Sequence, residues 1–366
     1  MEAIKFDSCM KSPYSWGDMP WVTRKFSKAD IDRAGESLIT LSPGDPARDN
    51  ALIVINNWRS CHSFPLQVIK MTLLKRARSI DREALIAQRL KRLPSIALKL
   101  EQDPSMRLSQ MQDIGGCRAV VRDIYHVDRL VKIYESRDRR YEPVRSGKKD
   151  YIAQPKDDGY RGVHLIYQYK SLNKAEFNGQ RIEVQIRSRL QHIWATAVET
   201  AQTFTGQGLK SRIKAAHKAW LRFFALMGDA IATREKKPGV PGTPHDGQER
   251  ARELREIAEQ EKIIECLTAW NDTIRQLELT PNARRARAFL LVLNPAKMFL
   301  EVTPFGKDQF TKAQESYQRA EKAYENDKQV QVVLVSVDSL DALRRAYPNY
   351  YADTTEFIKA VIREIQ

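Results

Sequence analysis

The segment RIEVQIRS, residues 181–188, alternates polar and apolar side chains along its length. Successive side chains of a β-strand point to opposite faces. Ile182, Val184 and Ile186 therefore share a face that packs inward, while Glu183, Gln185 and Arg187 share the other. A strand of this kind needs neighbours in a sheet and a layer to cover its apolar face. Two further segments read as strands, CRAVVRDI at 117–124 and VHLIYQYK at 163–170. Around them the apolar spacing is helical: from Asn50 to Leu100, through VDRLVKIYES, and from LQHIWATAVETAQTF into a tail reaching about residue 234. The pattern predicts an α+β unit with a mixed β-sheet flanked by helices.

The order stops at EKKPGVPGTPHDGQ, residues 235–248, which holds three Pro and three Gly and reads as a linker. It then restarts. A charged helical stretch leads to AFLLVL and MFLEVTPF, which read as a hairpin, then to a polar helix within DQFTKAQESYQRAEKAYEN, a strand in QVQVVLVSV, and two short helices. The expected division is an N-terminal extension over 1–49, a first domain over 50–234, a linker over 235–248, and a smaller C-terminal α/β domain over 249–366.

Sixty-one Lys and Arg against forty-six Asp and Glu leave a formal net charge of +15. That balance favours a polyanionic partner, either nucleotide phosphates or a nucleic acid. The four Cys form no CxxC pair and the six His no HxxxH pair. A zinc site or a disulfide framework is therefore not expected, which suits a reducing cytoplasm. No apolar run is long enough to span a bilayer, and the N-terminus lacks the pattern of a secretory signal.

Three stretches of the first domain carry chemistry. In QDIGGCRAVV, Asp113 precedes two glycines that let the backbone bend closely, and Arg118 follows within the strand. Asp113 with Glu183 on a nearby strand is a sensible carboxylate pair for Mg²⁺, which takes few protein ligands beside substrate phosphates. In RLKRLPSIALKL, Arg89, Lys91, Arg92 and Lys99 gather four cations, read as a phosphate clamp or as a solvated helix face. KDYIAQPKDDGYRGVHLIY, residues 149–167, is a polar, aromatic and cationic loop that runs into a strand.

The order of these motifs, followed by IEVQIRS and HIWATAVE, resembles the synthetase domain of the RelA/SpoT nucleotide pyrophosphokinases over roughly residues 50–230. The resemblance implies transfer of the β,γ-pyrophosphate of ATP to a ribose hydroxyl, assisted by Mg²⁺. Asp113 and Glu183 would serve the metal and the acceptor hydroxyl, with Gln185 and Arg187 beside them. Arg89 and Arg118 would flank the adenine, and Lys91, Lys99 and Lys156 would hold phosphates. Tyr160 would stack on the acceptor base, with His164 close by. The acceptor is GDP or GTP in the alarmone-making branch and the 3′-terminal adenosine of tRNA in a toxic branch. Surplus cations, among them Arg139 and Arg140 before the loop and Lys210 and Lys214 after it, favour tRNA.

RRAYPNYYADTTEF places Tyr347 and Tyr350 around Pro348, which breaks a helix. A YxxY at this place, beyond a linker from such a domain, resembles the CapRel group of fused toxin–antitoxins. That resemblance implies a C-terminal domain whose tyrosines block the ATP site until a phage structural protein, typically the major capsid protein, binds and releases it.

Overall fold

The computed structural model describes residues 21–136, 141–205, 214–274, 286, 288–294, 299–306, 309–325, 327, 330–336 and 354–366. Arg139, Arg140, Lys210, Tyr347 and Tyr350 lie outside the described residues, as does the side chain of Lys214.

Three helices open the described chain: α1 (Lys28–Thr40), α2 (Pro46–Ser60) and α3 (Ser63–Ile80). Ser27 caps α1 in a reciprocal box with Asp30, and Asp45 caps α2 ahead of its leading Pro46. Strand β1 (Leu85–Leu90), helix α4 (Leu93–Gln102), β2 (Gly115–Val121) and α5 (Ile124–Glu135) follow. Next come β3 (Tyr141–Asp150), β4 (Val163–Tyr169), β5 (Arg181–Ser188) and helices α6 (Arg189–Thr205) and α7 (Lys214–Arg234). Helices α8 (Gly247–Gln260) and α9 (Ile263–Ile274), strands β6 (Ala288–Asn294) and β7 (Phe299–Phe305), α10 (Phe310–Ala323), β8 (Gln331–Ser336) and α11 (Thr355–Ile365) complete the described part.

The strands form one mixed sheet in the order β3-β4-β5-β2-β1-β8-β6-β7. Strands β2 and β5 run parallel, and the other pairs are antiparallel. The alternation of RIEVQIRS is realised: Ile182, Val184 and Ile186 are fully buried. They join Ile69, Leu73, Val127 and Leu130 in the core beneath α3 and α5. A second core, around Trp194, Phe223, Leu254, Ile263 and Phe357, joins helices α6, α7, α8, α9 and α11. Strands β6 and β8 pack on α10 through Leu290, Val332, Ala313 and Tyr317.

Two departures from the sequence reading bear on the site. Residues 85–90, taken into a helical stretch, are strand β1. LIAQRL has apolar residues at both helical and strand spacing, and pairing with β2 on one side and β8 on the other decides the matter. The strand β3 was not expected, because YEPVRSGKKD is polar and lies at the edge of the sheet.

The C-terminal strands are not held apart from the first part of the chain. Gln88 and Arg89 of β1 pair with Ser336 and Val335 of β8, so the sheet is continuous. The Pro/Gly stretch is likewise tied down. Val240 is buried, its N–H donates to Asp229 Oδ1 at 2.7 Å, and the Pro238 carbonyl accepts from Arg161 at 2.9 Å. Among the described residues no helix is long and apolar enough to cross a membrane.

Candidate active site

Strand registration assembles the site. Arg89, Gly116 and Glu183 lie opposite one another across β1, β2 and β5. The neighbouring row is Ala87, Arg118, Gln185 and, on β4, His164. Paired residues share a face, so these side chains rise from the face opposite the α3–α5 core. Gly116 matters for what it lacks: a Cβ there would meet nothing nearer than the Glu183 carbonyl at 4.0 Å. The space between Arg89 and Glu183, two strand spacings or about 10 Å apart, is therefore open. The cleft over these rows is lined by Arg89, Lys91, Asp113, Arg118, Glu183 and Arg187, with Glu199 of α6 at its side.

Asp113 stands in the loop just before β2. Lys91 Nζ reaches its Oδ2 at 2.6 Å and Lys99 Nζ its Oδ1 at 3.0 Å. Burial works to raise the Asp113 pKa, and the two ammonium groups outweigh it and hold the carboxyl below the ordinary range. The two lysines that looked like a clamp thus converge on one carboxylate, Lys99 from α4 and Lys91 from the turn before it.

Glu183 is held from the other side. Gln185 Nε2 donates to its Oε2 at 2.7 Å, and His164 Nδ1 lies 2.9 Å from its Oε1. Burial again pushes this carboxyl up, as does nearby Asp113. The hydrogen bond and charge of His164, with help from Gln185, leave it below the ordinary value.

A chain of polar groups runs back from Glu183. Arg187 Nη2 donates to the Tyr160 hydroxyl at 2.8 Å and to Gln185 Oε1 at 3.0 Å. The same hydroxyl meets His164 Nε2. His164 Nδ1–H donates to Glu183, and its Nε2 shares a hydrogen bond with the Tyr160 hydroxyl. Arg187 is buried, and its Nε and Nη1 have no protein partner. A buried guanidinium left this way lines the cleft as a ready site for an anion.

The loop that carries Tyr160 is shaped by glycine. Gly159 has φ +85°, and a Cβ on it would fall 2.8 Å from the Phe224 carbonyl of α7. That close approach lets the Tyr160 ring rest edge-on against Trp194, with centroids 6.3 Å apart. Lys156 Nζ sits 4.7 Å from the Tyr151 ring centroid and 5.9 Å from that of Tyr160. Tyr151 was not singled out in the sequence, yet its ring meets both Tyr160 and His164 edge-on at 5.5 and 5.2 Å. Its place in the KDY that opens the loop was the available signal. Glu199 was not singled out either; it closes HIWATAVE, whose place in the motif order was the available signal.

Every candidate of the first domain with a described side chain is thus gathered around one cleft: Arg89, Lys91, Lys99, Asp113, Arg118, Lys156, Tyr160, His164, Glu183, Gln185 and Arg187. Among the described residues no group of three or more His, Cys, Asp and Glu could hold a metal ion. A pair of carboxylates, close enough for Asp113 to raise the pKa of Glu183, fits a Mg²⁺ that arrives with phosphate ligands. It does not fit a structural metal site.

Residues 88–207 match the family model described as the region found in RelA / SpoT proteins. The GTP pyrophosphokinase YjbM of Bacillus subtilis (strain 168) is 28% identical over 151 residues, 39% of this chain and 70% of that protein. The GTP pyrophosphokinase YwaC of the same organism is 36% identical over 91 residues, 24% of this chain and 40% of that protein. Among solved structures, small alarmone synthetase 1 from Bacillus subtilis matches over 52% of this chain and 94% of its own, at 20% identity and a TM-score of 0.39. The match to the family model begins within β1, contains β2, β3, β4, β5 and all of α6, and ends before α7.

Proposed function

We propose that this chain is a pyrophosphokinase of the RelA/SpoT synthetase type that places the β,γ-pyrophosphate of ATP on the 3′-terminal adenosine of tRNA. In this reading it acts as an anti-phage toxin, kept silent by its own C-terminal part and released by a phage structural protein such as the major capsid protein. The observation that carries the enzymatic part is the cleft itself. Two ionised carboxylates, Asp113 and Glu183, face Arg89, Lys91, Arg118 and Arg187 across a floor left open by Gly116.

The chemistry follows from that arrangement. The acceptor hydroxyl oxygen attacks the β-phosphorus of ATP, the bond from that phosphorus to the α-phosphate oxygen breaks, and AMP leaves. Glu183, held ionised, takes the hydroxyl proton, while His164 and Gln185 fix the direction of its oxygens. Arg89 and Arg118, one strand apart on one face, take the adenine between them; Lys91, Lys99 and Arg187 meet phosphate charge. Tyr160, edged by Tyr151 and Lys156, offers a ring to the acceptor base. Asp113 and Glu183 would hold a Mg²⁺, which would supply neutralisation of the phosphates.

The acceptor is the finer question. Net charge of +15 exceeds what a small nucleotide asks of a protein, which supports tRNA. A second reading has its own support: the two Bacillus subtilis relatives are named GTP pyrophosphokinases, which favours GDP or GTP as acceptor. Incubation of the protein, opened by Tyr347→Ala and Tyr350→Ala, with ATP labelled in the β-phosphate, in the presence of tRNA, GDP or GTP, separates the two. Label on tRNA is expected. That transfer should fall steeply with salt and on charge reversal of Arg139, Arg140, Lys210 and Lys214. Label appearing only on guanosine nucleotide would establish the second reading.

A further inference from the structure

Helix α10, packed on the C-terminal part of the sheet, meets the end of α2 and the start of α4. Its Glu321 is buried and meets Arg59 near the end of α2, Nη1 to Oε2 at 2.7 Å and Nη2 to Oε1 at 3.3 Å. The pair is almost wholly enclosed, with side-chain exposures of 2% and 6%. Tyr317, one turn earlier on α10, donates to Glu321 Oε1 at 2.7 Å, and the Arg59 guanidinium lies over its ring at 4.9 Å. Burial works against the Arg59 charge, and Glu321 and Tyr317 more than compensate.

Two contacts link this enclosed pair to the lysines of the site. Arg59 Nε donates to the Lys91 carbonyl at 3.0 Å. Glu321 Oε1 accepts from the Leu93 N–H at 3.0 Å. Leu93 is the first residue of α4, and the N-cap residue Arg92 provides no side-chain cap. The orphan donor at that helix start is thus satisfied by a carboxylate 228 residues away in sequence, which also favours the positive end of the helix. Lys91 and α4 are what deliver Nζ of Lys91 and Nζ of Lys99 to Asp113.

We infer that Glu321 is a positioning residue for the ATP phosphate site: it caps α4 and locks Arg59 onto the Lys91 carbonyl, so that the C-terminal helix α10 sets where Lys91 and Lys99 stand. The inference rests on the reading of these lysines as phosphate ligands. It has a consequence for control. A C-terminal part that only blocked the site would, on removal, leave a more active enzyme. Here its removal strips a buried arginine of its counter-charge and α4 of its cap, and the lysine pair loosens. Release of the enzyme must therefore occur with α10 still in place.

The exchange arm uses the full chain with Glu321→Ala and, as a control, Lys322→Ala; the binding arm adds Tyr347→Ala and Tyr350→Ala to each, which open the site. Lys322 is the next residue of α10, and its ammonium group makes an exposed contact to Asp49 at 3.0 Å. Amide hydrogen exchange without nucleotide should accelerate at least tenfold over residues 91–102 in Glu321→Ala, and the control should match the unaltered protein. Affinity for a non-hydrolysable methylene analogue of ATP should fall at least tenfold in Glu321→Ala. In a Lys91→Gln, Lys99→Gln background the same substitution should weaken binding by less than threefold, since its route runs through those two lysines. Should Glu321→Ala not fold, the isosteric Glu321→Gln is expected to weaken analogue binding in the same direction, with the same dependence on the lysine pair. Unchanged exchange over 91–102, or an effect undiminished by the double lysine change, would overturn the inference. If exchange accelerates as expected but the chain with the two tyrosine changes alone does not bind the analogue, the ATP reading fails while the clamp on α4 stands.

Discussion

His164 Nδ1 lies 2.9 Å from Glu183 Oε1, and its other ring nitrogen meets the Tyr160 hydroxyl. The imidazole therefore joins the loop that would bind the acceptor to the carboxylate that would activate it. Its removal takes away the larger contributions that hold Glu183 low and leaves only Gln185 against burial and Asp113, which push it up. His164→Ala should lower kcat by roughly 10²-fold, in the range of general acid–base effects. It should also move the acidic limb of the kcat/KM profile to higher pH, because Glu183 then takes up its proton sooner. A limb that stays in place would detach His164 from Glu183.

Asp113→Asn and Glu183→Gln should each abolish pyrophosphate transfer while the fold persists. Asp113 lies near the edge of the protein, with 23% of its side chain exposed, so Lys91 and Lys99 regain solvent when its charge is removed. Circular dichroism and thermal unfolding check the fold, and AMP release checks the chemistry. Activity within a few-fold of the unaltered protein in either variant would remove that residue from the reaction.

Tyr160→Ala should weaken acceptor binding by about 1–3 kcal/mol, the worth of one base stack, with a smaller effect on ATP. Gly159→Ala tests the same site without touching the acceptor. A side chain at φ +85° and 2.8 Å from the Phe224 carbonyl forces the loop off α7. A loss of about 1–3 kcal/mol in stability is expected, together with a higher KM for the acceptor. Isothermal binding with each substrate separates these outcomes.

His62 gives the fold a pH dependence of its own. It is fully buried, its Nδ1 donates to the Trp58 carbonyl at 2.7 Å, and burial pushes its pKa down to about 4. In the unfolded chain it titrates near the ordinary 6.5. Between those values the unfolded state binds a proton that the folded state refuses, so stability falls as pH drops from about 6.5 to 4. The loss amounts to about 3 kcal/mol. Urea titrations across that window should show the slope, and His62→Gln should flatten it.

Tyr347 and Tyr350 belong to the proposed control. The last described residue before them, Ser336, pairs with Gln88 beside Arg89, and the chain is next described at Thr354, whose hydroxyl donates to the Leu267 carbonyl. Tyrosine rings stack on guanidinium groups, and a tethered plug gains from its high effective concentration. Replacing both tyrosines by Ala should make the chain toxic to cells without phage, and adding Glu183→Gln should abolish that toxicity. Normal growth of cells expressing an active double variant would contradict the plug.

The parts of this structure legible in the sequence are those fixed by local period or by motif order. RIEVQIRS had one possible pair of faces, and the Asp113, Tyr160 and Glu183 segments stood in an order that placed them together. What was not legible depends on partners far along the chain. LIAQRL becomes a strand because β2 and β8 flank it. Lys91 and Lys99 looked like a phosphate clamp, but nothing local says that both turn to Asp113. The Pro/Gly run is irregular, as read, yet Arg161 and Asp229 hold it against the body of the protein. Arg59 and Glu321, 262 residues apart, carried no signal at all in one sequence.

The central claim, that this cleft moves two phosphates as a unit from ATP to a hydroxyl, is tested most directly by the fate of doubly labelled ATP. With Mg²⁺, tRNA and guanosine nucleotides present, and the Tyr347→Ala and Tyr350→Ala changes made to open the site, the β- and γ-labels should reach the acceptor in equal amounts. One AMP should appear per transfer, and both signals should vanish in Glu183→Gln. Release of ADP with the γ-label alone, or AMP formation indifferent to Glu183, would contradict the account.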